Sequence, residues 1–284
     1  MRQGIVVGLD GTEQANAAAR WAAEEAVLRG TGVHLVHVQE ASPDALLPFV
    51  SREPDEPWAE DLLARTAAGL RERHPDLSVT TRLMPSEPVP SLVAAADEGD
   101  LLVLGSRALG GTAGYLVGSV GMTVAGLVDR PVVLVRALDL SPAQGPVVVG
   151  VDLRQPVDTV LAFAFEEAAR RHARLQVVHA QQLPVYATLG PSMVPDIRPT
   201  VAPEIRRSLD DLLEPWRAQF PDLAATGRVA IGSAGQELVN SAEDAALVVV
   251  GRRTRESTLG TRIGSVAHAV LHHSRSPVAL VPHG

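Results

Sequence analysis

The chain has 284 residues, a formal net charge of −8 and only 3% aromatic residues. That acidic balance argues against nucleic acid as a partner, since phosphate backbones select basic surfaces. Cysteine is absent and all 25 basic residues are arginine, which removes disulfides, thiolate chemistry, Schiff-base lysines and the lysine of a Walker-type phosphate loop. No apolar run approaches the roughly 18 residues of a membrane span, so no membrane association is expected. Met1-Arg2-Gln3-Gly4-Ile5 runs into an apolar strand without the shape of a signal peptide, and the expected location is cytoplasmic.

Taken in order, Ile5 to Asp10 reads as a buried strand, and Gly11-Thr12 as a turn with Thr12 capping the helix that follows. Ala15, Ala18, Ala19, Ala22, Ala26 and Val27 recur at helical spacing until Gly30. Val33 to Val38 is a second strand. Ala41 to Pro57 is polar and proline-rich and reads as a loop. Trp58 to Arg73 is an amphipathic helix, Leu77 to Leu83 a strand, and Pro88 to Asp97 a short helix. Leu101 to Leu104 is an apolar strand, Gly118 to Val128 a helix, and Pro131 to Val135 a closing strand. Such alternation predicts a doubly wound α/β domain with a mostly parallel, five-stranded sheet.

The pattern then repeats. Val147 to Asp152 restates the first strand, with Asp152 following Asp10 by 142 residues. Gly251 follows Gly105, and Gly264 follows Gly118, by 146. Pro277 to Val281 restates the closing strand. The expected division is residues 1–138 and 146–284, joined by a linker at 139–145, each part of ordinary size for a small α/β unit.

The chemistry-bearing stretch lies between Leu101 and Val120. A buried strand stops at Gly105, a loop holding Gly110, Gly111 and Gly114 follows, and Gly118-Ser119 opens a helix. Glycine lets backbone approach a ligand, and a helix start offers unpaired N–H groups to a phosphate. Taken alone, these residues are also compatible with plain turn glycines, and Asp10 with a helix cap rather than a ligand contact. His268 and His272 are four apart on a helix, but no third metal ligand accompanies them, and they read as surface histidines.

Both halves resemble the universal stress protein domain. The likeness rests on the openings IVVGLDGT and VVVGVDLR, the helix holding Trp21 to Ala26, the strand ending His37-Val38, the glycine motif and the PVVLV strand. It implies a tandem of Rossmann-like, adenine nucleotide α-hydrolase-like domains. It also implies ATP binding, with Mg²⁺ as companion, through the motif Gly, two residues, Gly, nine residues, Gly and Ser or Thr. In the first copy this points to Asp10, Gly11, Thr12, Val38, Gly105, Arg107, Ala108, Gly118, Ser119 and Val120. In the second it points to Asp152, Ala180, Gly251, Arg253, Gly264, Ser265 and Val266, and to no catalytic residue. The acid belongs beside ribose or phosphate, and the backbone of Val38 or Ala180 against adenine.

Two positions depart from the motif. Its second glycine is Ala108 in the first copy and Thr254 in the second. A left-handed backbone there costs alanine roughly 1–2 kcal/mol, about a fivefold to thirtyfold loss of affinity. Threonine, being β-branched, is worse. Arg154 also stands where the first copy has Thr12. The first site is therefore expected to bind ATP better, unless Arg252, Arg253 or Arg255 supplies the missing charge in the second. The implied role is a stress-response or signalling protein acting through a protein partner that the sequence does not name. The alternatives are an interaction module with degenerate, nucleotide-free sites, or a slow nucleotide-hydrolysing enzyme.

The resemblance further implies that the strand at 131–135 pairs with that at 277–281, making the chain an intramolecular pseudo-dimer, with higher association open. An exposed strand edge seeks a partner. Charged substitutions at Val133 and Val278 are expected to loosen the two domains, read by small-angle scattering and crosslinking. Unchanged domain packing would contradict the pairing.

Overall fold

The computed structural model describes residues 4–39, 56–106, 119–136, 145–181, 198–253 and 263–284. The chain divides into two compact units, Met1–Leu140 and Ser141–Gly284. The first contains β1 (Ile5–Leu9), α1 (Glu13–Arg29), β2 (Val33–Gln39), α2 (Glu56–Arg73), β3 (Val79–Pro85), α3 (Pro88–Asp97), β4 (Leu101–Gly105), α4 (Ser119–Leu127) and β5 (Val132–Val135). Its strands lie side by side in the order β3-β2-β1-β4-β5, and every pairing is parallel. The second unit contains β6 (Val147–Gly150), α5 (Asp158–Arg170), β7 (Leu175–Gln181), α6 (Arg198–Gln219), β8 (Ala225–Ile231), α7 (Ala234–Ser241), β9 (Leu247–Arg253), α8 (Ser265–His273) and β10 (Val278–His283). Its order, β8-β7-β6-β9-β10, is the same arrangement, again all parallel. Helix α2 begins two residues before the sequence expectation, taking Glu56 and Pro57 from the expected loop. Proline is tolerated there because the first helical turn has no intrahelical use for its N–H.

Parallel strands covered on both faces are apolar along their whole length rather than alternating. Leu101, Leu102 and Val103 are fully buried, as are Leu247, Val248 and Val249. Helix α1 is cut to fit: Ala15, Ala17, Ala18, Ala19, Ala22, Ala23 and Ala26 are all buried, so the helix lies close on β1 and β4. Among the described residues, no helix is long and apolar enough to cross a membrane.

Each unit also buries one acid on its first helix. Glu25 is ion-paired to Arg29 one turn on. Its counterpart Glu167 is paired to Arg170 at 2.8 Å and to Arg171. Removing one partner of such a buried pair costs about 3–5 kcal/mol.

The ends of these helices differ in one residue. Helix α1 closes on Gly30 at φ 61°, with the N–H of Thr31 reaching the Ala26 carbonyl at 3.0 Å and that of Gly30 reaching Val27 at 3.2 Å. This is a Schellman turn. Helix α5 makes the same turn, Ala173 to Ala168 at 2.9 Å and His172 to Ala169 at 3.1 Å, but His172 occupies the left-handed position at φ 49°. A side chain there costs roughly 1–2 kcal/mol, while glycine costs about 0.5–1 kcal/mol of unfolded-state entropy. His172→Gly is therefore expected to stabilise the second unit by about 0.5–1 kcal/mol in chemical denaturation. A loss of stability would show that the histidine ring makes a compensating contact.

Candidate functional site

In a doubly wound sheet, ligands bind beyond the carboxyl ends of the strands at the point where strand order reverses. In the first unit that point lies between β1 and β4. A cavity of about 310 Å³ opens there. Asp10 follows β1, Val38 lies near the end of β2, Gly105 ends β4, and Ser119 and Val120 begin α4; all five line the cavity. The structure thus brings these sequence-expected residues together. Arg107, Ala108, Gly118 and the loop glycines lie outside the described residues.

Gly11 and Thr12 do not line the cavity; they shape the turn beside it. Gly11 has φ 78°, and a Cβ on it would stand 2.8 Å from the ring of Trp58. Thr12 accepts from the Ala15 amide at 3.2 Å and so caps α1. Its amide and hydroxyl both donate to Oδ1 of Asp10, at 3.0 and 2.5 Å. Asp10 is therefore held by the cap rather than being the cap. Gly105 has a structural reason of its own: a Cβ on it would lie 2.6 Å from the amide nitrogen of Ala15. The first turn of α1 passes too close to β4 for any side chain.

The remaining wall was not singled out from sequence. Gly8 and Leu104 form the floor, and Pro88 and Leu92 of α3 the side. Together with Val38 they make an apolar slot. Behind it, His37 is buried and donates from Nδ1 to the Leu9 carbonyl at 2.7 Å, with its ring edge against Trp58 at 5.5 Å. His179 repeats this bond to Val151 at 3.0 Å. These histidines pin the second strand of each unit to the end of the first. Their recurrence 142 residues apart was the available signal.

The second unit has the larger cavity, about 640 Å³, between β6 and β9. Asp152, Ala180, Gly251, Arg253, Gly264, Ser265 and Val266 all line it. Part of the difference is visible in the turn after the first strand. Helix α1 starts three residues after Asp10, whereas α5 starts six after Asp152. Pro156 biases Gln155 away from helical angles, and α5 begins behind Val157 without a side-chain cap. The slot is also lined by smaller residues: Ala180 replaces Val38 and Ala234 replaces Pro88, while Leu238 keeps the place of Leu92.

Charge differs as well. Arg154 folds back on Asp152, with Nε to Oδ1 at 3.0 Å and Nη2 to Oδ2 at 3.1 Å. Its amide adds a third bond to Oδ1 at 3.1 Å. The hydrogen bond from Arg154 holds the Asp152 carboxyl below its ordinary range. At the far side, His283 stands over Gly251, whose added Cβ would lie 2.7 Å from Nε2. Gly264 precedes α8 at φ −67°, and a Cβ on it would meet nothing within 4 Å. Neither the backbone angle nor packing among the described residues demands glycine there. Helix α8 has no side-chain cap, so its first N–H groups open beside Ser265 and Val266, which line the cavity. On the same helix the rings of His268 and His272 are 4.2 Å apart. Among the described residues, no group of three or more metal-ligating side chains is present.

The sequence model of the universal stress protein family matches residues 1–136 and again 145–282. The chain belongs to the universal stress protein family. A universal stress protein of Mycobacterium tuberculosis is 33% identical over 291 residues, covering 98% of this chain and 96% of the relative. A second one from that organism is 33% identical over 295 residues, covering 97% and 95%. A universal stress protein of Archaeoglobus fulgidus shares the fold, with TM-score 0.76 and 15% identity over 99% of this chain and 98% of that structure. This universal stress protein therefore carries two family domains, each with a cavity at its strand-reversal point.

His283 gives the second domain a pH dependence. Burial first, then Arg253 and Arg252, lowers its pKa from the ordinary 6.5. A histidine with a lowered folded pKa resists protonation, so the unfolded state binds the proton more readily. Its contribution is fully present above pH 6.5 and is lost as pH falls through the lowered value. The second domain is expected to weaken in denaturant as pH falls below 6.5, and His283→Gln to flatten that slope. An unchanged slope in the variant would place the effect elsewhere.

Proposed function

We propose that this universal stress protein binds adenine nucleotides in its two cavities, with ATP and Mg²⁺ in the first, and that the bound state controls its encounter with a protein partner. The observation that carries the proposal is a juxtaposition made twice. An acid at the end of the first strand, an apolar slot and the start of a helix surround one cavity at the strand-reversal point. Gly264 adds weight, because a glycine that neither its backbone angle nor the described residues around it require suits close approach by a phosphate. In the first cavity the base lies in the slot between Val38 and Leu92, the sugar at Asp10, and the phosphates at Ser119. Magnesium takes oxygen ligands and keeps most of them as water or phosphate. Asp10 and Ser119 are the side-chain oxygen donors among the described residues lining that cavity.

Regulation then follows from differential affinity: ATP shifts only an equilibrium whose states it binds unequally. Hydrolysis forms no part of the proposal. The second reading, a nucleotide-free interaction module, draws support from Gly105, whose glycine is explained by the passage of α1 alone.

The test is calorimetric titration of the full chain with ATP and Mg²⁺, alongside Val38→Trp and Ala180→Trp, which fill one slot each. Filling the first slot is expected to weaken the tighter ATP site at least tenfold, and filling the second to leave it within about threefold. If Ala180→Trp removes the tighter site instead, the ranking of the domains is reversed. Absence of binding at millimolar ATP would favour the interaction module.

A further inference from the structure

The turn after the first strand places different residues beside the strand-end acid of each cavity. In the first, the amide and hydroxyl of Thr12 donate to Asp10. In the second, one guanidinium occupies both carboxylate oxygens of Asp152, at 3.0 and 3.1 Å. A sugar arriving at Asp152 finds both carboxylate oxygens engaged and a cation in front of them. The Arg154 side chain is 79% exposed and lines the cavity together with Arg253.

We propose that the second cavity selects a purine nucleotide bearing a phosphate on its ribose, read by Arg154 with Arg253 in support. The inference rests on the reading that nucleotide sugars lie at the strand-end acid. The chemistry is general: in dinucleotide sites an acid at the sugar accepts the hydroxyl, whereas an arginine there accommodates a sugar phosphate. Guanidinium matches phosphate with two parallel N–H bonds, and remains charged throughout the physiological range. Among the described residues lining the second cavity, Arg154 offsets Asp152 and Arg253 adds a further positive charge. Room is present too. The delayed start of α5 and the replacement of Val38 and Pro88 by Ala180 and Ala234 accompany a cavity of about 640 Å³ against 310 Å³. An extra phosphate needs that space and that charge together.

The experiment compares AMP with adenosine 3′,5′-bisphosphate and adenosine 2′,5′-bisphosphate, which differ from it only by the sugar phosphate. Full-length Val38→Trp leaves the second cavity open, and full-length Ala180→Trp the first. Each variant is titrated by calorimetry at fixed ionic strength. In Val38→Trp, one of the bisphosphates is expected to bind at least tenfold tighter than AMP. Adding Arg154→Thr, which restores the first copy's residue at an exposed pair, is expected to bring that ratio within threefold while the unfolding temperature stays unchanged. In Ala180→Trp the ratio is expected near one. Equal binding of AMP and both bisphosphates in Val38→Trp overturns the inference, as does a preference that survives Arg154→Thr. Failure of all three nucleotides in Val38→Trp, with ATP still binding in Ala180→Trp, overturns it while leaving nucleotide binding by the first domain intact. Failure of every nucleotide in both variants removes the underlying reading as well.

Discussion

Each domain must turn its chain from the first strand into the first helix directly over the point where strand order reverses. The rest of the site depends on how tightly that turn is made. In the first domain, Gly11 adopts φ 78° and Thr12 caps the helix at once. The helix start then presses on β4, close enough that Gly105 tolerates no side chain. In the second, Pro156 delays the helix, Arg154 fills the turn, and Gly251 faces His283 and Val160 instead of helix backbone. This local difference, a few residues long, moves the start of the first helix and places Arg154 in the lining of the second cavity.

The part common to the two units lies behind the cavity, where two features recur. A buried histidine bonds the end of the first strand to the second, and a buried glutamate is paired to arginine on the first helix. Both are polar groups with their partners built in, which offsets the cost of burying them. They hold the strand ends in place while the residues in front of them vary. A duplicated domain can diverge in ligand without diverging in fold under such an arrangement.

Much of this was legible in the chain itself. Apolar runs such as Leu101 to Leu104 and Leu247 to Val250 announce parallel strands, and the alanine spacing of α1 announces a helix that must lie close. The recurrence of Asp10 at 152 and of Gly105 at 251 marks residues that line a cavity in each unit. Other features were not legible, for physical reasons. The reason Gly105 is glycine depends on the approach of Ala15, a contact between elements far apart in sequence. The clamp of Arg154 on Asp152 depends on a rotamer, and Thr12 gave no hint of it. His283 reaches the second cavity only because β10 runs to residue 283 beside Arg253. The slot residues Pro88 and Leu92 read simply as helix residues, since nothing in their spacing says that they face a cavity.

The central claim is that both strand-reversal points are nucleotide sites. Amide NMR of the isotope-labelled full chain, titrated with ATP and Mg²⁺, tests it most directly. The account predicts shifts at Gly8 to Asp10 and at Ser119 to Gly121 at low nucleotide, with Asp152, Arg154, Ser265 and Val266 following at higher concentration. Shifts confined to the opposite strand ends, near Gly4, Gly32 and Gly99, or no shifts at millimolar ATP, would contradict it.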